Sequence, residues 1–219
     1  MDKLLNIFVY SGTAGAISTI LFEVIVDLYS QFDDSRIAIT KRKFTLLAYE
    51  ALMIFINALL FYKYGGTVTT AFLSFFLWYL SLAGYIDHKT KMVYSSYNVV
   101  ALLMGIILLV YTWKQYDISG ILSDGSLIIW FLFLIICKGL HLYGAGDFDV
   151  LLIETVYFCC IPGVRQPIGG TMLFVVLGAL GLQFIIHYKE IDFVHLRLKN
   201  SVAFVPALFL SSLVNILII

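Results

Sequence analysis

Tyr143-Gly144-Ala145-Gly146-Asp147-Phe148 lies between two long apolar runs. Its reading decides the fold. A Gly-x-Gly-Asp in that setting places an ionisable carboxyl at the edge of, or inside, a lipid bilayer, where such groups are costly and functional use is the default expectation. The composition agrees with a membrane setting: 61% of the 219 residues are hydrophobic and 13% are charged, against about a quarter charged in an ordinary soluble domain. The expected fold class is all-α, a polytopic membrane protein, with residues 1–219 forming one transmembrane domain.

A bilayer core about 30 Å thick takes roughly 20 apolar residues as helix. Working outward with that window gives about eight spans. The first runs from Leu4 to about Tyr29 and contains Glu23 and Asp27. A polar loop, Gln31 to Lys43, separates it from the second, Phe44 to Tyr62. The third is Val68 to Ile86, followed by the short polar loop Asp87-His88-Lys89-Thr90-Lys91. The fourth is Tyr97 to Trp113. After a loop from Lys114 to Gly125 with the turn residues Asp117, Gly120 and Asp124, the fifth covers about Ile121 to Leu140, overlapping the loop's end. The Gly-x-Gly-Asp opens the sixth, which ends near Pro162-Gly163. The seventh is Ile168 to Tyr188, and the eighth Val202 to Ile219 beyond a polar loop from Lys189 to Ser201. The N-terminus lacks the basic start and cleavage site of a removable signal, so the first run reads as a retained span.

Lys and Arg are unequally shared between the two sides. The loops after spans one, three, five and seven hold Arg36, Lys41, Arg42, Lys43, Lys89, Lys91, Lys138, Lys189, Arg197 and Lys199. The other side holds Lys3, Lys63, Lys114 and Arg165. The richer side is expected to be cytoplasmic. Asp87 and Asp147 both fall beside it, at the ends of spans three and six.

Two carboxyls at one depth of a helix bundle could meet across it, and if they come close they cannot both ionise easily and so share a proton. One then serves as a base that activates water. The other is an acid that polarises a carbonyl and protonates a leaving amine. Peptide hydrolysis needs those two roles and no metal. Gly144 and Gly146 suit such a site by allowing close backbone approach or positive φ, so that an extended substrate segment could dock beside Asp147. The plainer reading of Asp147 is a helix N-cap, and that of Asp87 a solvated loop residue.

The same residues resemble the type IV prepilin peptidase family, membrane aspartyl proteases of the Gly-x-Gly-Asp class. One signature is Gly144-Ala145-Gly146-Asp147-Phe148-Asp149-Val150-Leu151-Leu152, where the family has lysine at the place of Asp149. A second is Tyr85-Ile86-Asp87-His88-Lys89-Thr90-Lys91-Met92-Val93-Tyr94, where the family has Ile-Pro in place of Val93-Tyr94. Lys199-Asn200-Ser201-Val202-Ala203-Phe204-Val205-Pro206-Ala207 is similar to a Phe-Gly-Pro stretch near the family's last span, and Tyr49-Glu50-Ala51-Leu52 to the opening of its second. The likeness runs from about Lys41 to the end. It implies an aspartic-type endopeptidase of the bacterial inner membrane, with Asp87 and Asp147 catalytic and facing the cytoplasm. The implied substrates are prepilins or pseudopilins, with a short basic leader before a hydrophobic helix. Many members also carry a cytoplasmic Cys-x-x-Cys domain and methylate the new N-terminus. The loop from Gln31 to Lys43 has no cysteine, so a short, peptidase-only form without cofactor is expected.

Asp149 and Glu154 are accessory candidates. Asp149 reads as interfacial, and Glu154 as buried and protonated beneath the site or paired with Lys138. Glu23 and Asp27 share a helix face as an interfacial pair or ion site. His88 and His141 read as interfacial, and Cys159-Cys160 as core packing. No Cys-x-x-Cys suggests a thiolate metal site, and no basic patch interleaved with aromatics suggests nucleic-acid binding. The rival classes are a proton- or cation-coupled transporter component, whose acids would form a path across the membrane, and an inactive peptidase-like scaffold.

Overall fold

The chain folds into eight α-helices among the described residues, which in this computed structural model are 2–32, 35–115, 125–139, 144–161, 167–187, 191–192, 197–198 and 203–219. They are α1 (Asp2–Phe32), α2 (Arg42–Tyr64), α3 (Val68–Thr90), α4 (Ser95–Gln115), α5 (Gly125–Gly139), α6 (Ala145–Phe158), α7 (Ile168–His187) and α8 (Val205–Ile218). A single 3-10 turn (Ser35–Ile37) follows α1, and a two-residue antiparallel pairing, Ile191–Asp192 with Arg197–Leu198, precedes α8. The helices follow the eight apolar runs in order. Tyr143, His141, the turn residues Asp117, Gly120 and Asp124, Pro162-Gly163, Arg165, Lys189 and the stretch Lys199 to Val202 lie outside the described residues.

Five helices, α1 to α4 and α7, are long and apolar enough to cross a membrane, as in a multi-pass membrane protein. The remaining three are 14 or 15 residues long, about 21–23 Å at 1.5 Å per residue. Exposed Leu, Ile, Val and Phe side chains cover the outer faces, as expected where the solvent is hydrocarbon. Burial singles out α3, with 72% of its apolar window inside the protein against 22–39% in the other four long helices.

Contacts at the helix ends fix the direction of packing. The Lys63 ammonium at the end of α2 donates to the carbonyls of Ile216 and Leu217, at 2.9 and 2.8 Å. The Tyr64 hydroxyl also donates to the Ile216 carbonyl, at 2.7 Å. The ends of α2 and α8 therefore share one face of the bundle. Near the same face, the Tyr10 hydroxyl on α1 bonds Ser74 on α3 (3.0 Å). Toward the other end of α1, the Arg42 guanidinium bridges Glu23 and Asp27, with Nε 2.8 Å from Glu23 Oε1 and Nη2 2.6 Å from Asp27 Oδ2. The two acids thus hold α2 on α1.

The interior is tied by aromatic residues with hydroxyl or indole donors. Tyr157 on α6 stacks on Phe76 of α3 at 4.4 Å and donates to the Ala101 carbonyl of α4 at 3.1 Å. Trp130 on α5 donates to Thr155 on α6 at 3.0 Å. Phe22 stacks on Tyr49 at 4.1 Å, and the Tyr49 hydroxyl bonds Ser81 at 2.7 Å. Each pairs a large apolar contact with a satisfied polar tip, the arrangement a buried Tyr or Trp needs.

Lys63 neutralises the carbonyl end of α8. Removing that charge while keeping its aliphatic stem, as in Lys63→Met, should lower unfolding stability by about 1 kcal/mol. Denaturant or thermal unfolding in lipid-detergent micelles measures this, and Lys63→Arg should retain most of the stability.

Candidate functional site

Asp87 is on the last turn of α3, four residues before its left-handed C-cap at Lys91 (φ 59°), whose N–H donates to the Asp87 carbonyl at 2.8 Å. The sequence reading placed Asp87-His88-Lys89-Thr90-Lys91 in a loop after the span. The helix instead runs through Thr90, since nothing in this stretch breaks it and the Thr90 hydroxyl folds back onto the Ile86 carbonyl (2.9 Å). Asp87 is accordingly buried, at 4% exposure, while His88 beside it is exposed.

The partner that holds Asp87 comes from the other end of the chain. Asp87 Oδ2 accepts the backbone N–H of Val205 at 3.0 Å, and the Phe204 N–H also bonds the carboxylate. Asp87 thus caps the N-terminus of α8 from a neighbouring helix, where free N–H groups and the positive end of the dipole favour an anion. Gly84, one turn earlier, makes room. A Cβ there would lie 3.3 Å from the Pro206 Cα, so α3 and the Phe204-Val205-Pro206 corner meet backbone to backbone.

Asp147 is the third residue of α6. Its Oδ2 accepts the Gly144 N–H at 3.2 Å, closing the first turn. Asp147 is thus not the N-cap, which is Gly144, but sits at N3 and bonds back to the N-cap amide. Gly144 has φ −65° and ψ 158° and needs no glycine-only conformation, so of the two uses expected of it, close approach or positive φ, the second does not occur. Gly146 is different. A Cβ on it would sit 2.5 Å from the Val93 Cβ and 3.1 Å from the Val93 carbonyl. The two acid-bearing stretches are pressed together at this point, Met92-Val93-Tyr94 after α3 against the start of α6. Asp87 and Asp147, 60 residues apart in the chain, lie within electrostatic range of each other.

Two buried tyrosines lie near the acids of this region. Tyr97, buried at the start of α4, accepts the Tyr94 N–H at 3.2 Å and lies within electrostatic range of Asp87. Tyr79 on α3 donates to Asn98 Oδ1 at 2.8 Å and feels both Asp149 and Glu154. Asp149 is half-buried. Glu154 is fully buried and in contact with Ser212 of α8. The anticipated pairing of Glu154 with Lys138 is absent: the Lys138 ammonium stands over the Phe148 ring, 4.2 Å from its centroid. Cys137 and Cys160 are buried, while Cys159 is half-buried, and the adjacent pair sits in the turn after α6 rather than within a span. No cluster able to hold a metal ion occurs among the described residues.

Sequence reasoning missed Tyr97, Tyr79, Asn98 and Ser212, and quoted Phe204 and Val205 only within a likeness, without their tie to Asp87. The available signals were weak: a Ser211-Ser212 pair inside an otherwise apolar run, and an asparagine early in span four. Chemically, the site offers two carboxyls at one end of the bundle, each bonded to a backbone donor, with the buried Tyr97 near Asp87.

The chain matches no protein-family model, and no curated protein or solved structure shows significant similarity to it.

The Gly146–Val93 contact generates a specific expectation. Gly146→Ala forces a methyl into an occupied position and should destabilise by about 1–3 kcal/mol. Val93→Gly, which removes the Cβ that the methyl would strike, should recover part of that loss when added to Gly146→Ala. Unfolding of the two single variants and the double variant measures the coupling.

Proposed function

We propose that this chain is a membrane-embedded aspartyl endopeptidase of the type IV prepilin peptidase kind, in which Asp87 and Asp147 together activate water. The observation that carries the reading is the seating of Gly146 against Val93, which brings the two acid-bearing stretches together at one end of the bundle. It is supported by the Phe204-Val205-Pro206 corner, the third stretch of the resemblance, whose amides bond Asp87. In this reading all eight helices cross the bacterial inner membrane, with the ends of α3 and the starts of α4, α6 and α8 facing the cytoplasm. The exposed Gly144 offers backbone to an extended segment of a prepilin or pseudopilin leader, Gly146 lets the Val93 segment close on the site, and Asp149 lies beside the leader's path. The pair titrates as a unit, so acid and base are roles of the dyad.

One observation favours a second reading, an inactive scaffold: both aspartates have a structural task as helix caps. Asparagine separates the two, because its side-chain oxygen still accepts a backbone N–H but its amide cannot shuttle a proton. Asp87→Asn and Asp147→Asn are expected to remain folded and to lose cleavage of a leader-bearing prepilin reconstituted with the protein in vesicles. Persistent cleavage by both folded variants would refute the dyad. A wild-type protein that cuts no such substrate would favour the scaffold.

A further inference from the structure

Glu154 is the most deeply buried acid described in the chain, at 0% exposure, and the dyad chemistry does not use it. Its Oε1 is in hydrogen-bond contact with the Ser212 hydroxyl, and its Oε2 has no partner. No basic side chain pairs with it among the described residues. The Ser212 hydroxyl also lies 2.7 Å from the Leu208 carbonyl, one turn back on α8. A serine hydroxyl has a single proton to give. If that proton serves the Leu208 carbonyl, the contact with Glu154 requires a proton from the glutamate. A neutral acid also avoids leaving a buried carboxylate without a counter-charge.

The position of this contact matters as much as its chemistry. Glu154 follows Asp147 by seven residues on α6, and Ser212 follows Val205 by seven on α8. Seven residues are about two turns, roughly 10 Å of rise. Both helices start at the same end of the bundle, where Asp87 holds the Val205 amide. α6 packs mainly on α4, and α8 on α3 and α7, so the Glu154–Ser212 bond is a polar tie between two helices that otherwise touch little, and it bears on how Asp147 stands relative to Asp87.

We propose that Glu154 is a neutral carboxylic acid whose hydrogen bond to Ser212 sets the axial register of α6 on α8 and so holds Asp147 opposite Asp87. Its catalytic consequence rests on the peptidase reading, whereas its protonation and the register do not. In that reading Glu154 is a positioning residue two turns below the site.

The test uses the full-length protein in lipid vesicles. Infrared spectroscopy should find a protonated-carboxyl C=O band that disappears in Glu154→Gln and shifts in Ser212→Ala. Nitroxide labels at Leu152→Cys and Leu210→Cys, with Cys137, Cys159 and Cys160 replaced by alanine, report the offset of α6 on α8. Their distance distribution should be kept in Glu154→Gln, whose amide N–H can still donate to Ser212, and should shift or broaden in Ser212→Ala. With a leader-bearing prepilin, Ser212→Ala should lower kcat about 100-fold with KM unchanged, and Glu154→Gln should retain most of the kcat. Absence of a Glu154-dependent band, or a label distance in Ser212→Ala equal to that of the parent, would overturn the proposal. If the parent cleaves nothing, the peptidase reading fails, and the band and the labels still decide the protonation and the register.

Discussion

A 14-residue helix inside an apolar bundle leaves free N–H groups at one end and free carbonyls at the other, and each needs a partner where it is buried. In this protein α8 is closed by charge at both ends. Asp87 of α3 takes the Val205 amide, and Lys63 of α2 takes the carbonyls of Ile216 and Leu217. The signs match the helix dipole, anion at the start and cation at the finish. Because both charges come from other helices, satisfying α8 also fixes it against α2 and α3. The close approach of Gly84 to Pro206 follows from the same seating. Much of the bundle is arranged around this one helix, which packs along both α3 and α7.

The arrangement limits what Asp87 can be. A carboxylate held by backbone amides is oriented and cannot rotate away without breaking a cap. Catalysis by a proton-sharing pair asks for that kind of fixed geometry, with reacting groups placed before substrate arrives. The structural and catalytic readings of Asp87 are thus compatible at the level of geometry and diverge only in proton transfer. The same holds for Asp147, whose bond to the Gly144 amide anchors it to the turn that opens α6. Caps from aspartate are common, but two of them from distant stretches, meeting across the Val93–Gly146 contact, are a stricter coincidence than either alone.

Legibility in the sequence divided along the line between local and long-range information. The helix order followed from apolar runs, since in lipid the span length is set by the bilayer and the pattern needs no knowledge of partners. The ends were less accessible. Asp87-His88-Lys89-Thr90-Lys91 has the composition of a solvated loop, and only an amide 118 residues away turns its first residue inward. Gly146 was marked as special for the right general reason, close approach, but the sequence carries no sign that Val93 is what approaches it. For Gly144 positive φ was one of two alternatives, and its backbone does not use it. Glu154 shows the same limit. Its burial followed from its place on α6, whereas its partner, Ser212 rather than Lys138, depends on how α6 and α8 pack.

These long-range contacts form a closed circuit. Asp87 joins α3 to the start of α8, Ser212 joins α8 to Glu154, and Glu154 and Asp147 share α6. The Val93–Gly146 contact then returns from α6 to the segment that follows α3. In a circuit of packed, stiff helices no link can move alone, because a slip of one helix by a residue displaces every contact around the ring. The polar residues placed inside this lipid-adapted chain are therefore best understood together. Each satisfies a local demand, an open helix end or a buried hydroxyl, and their joint effect is to leave little freedom in the separation of Asp87 and Asp147.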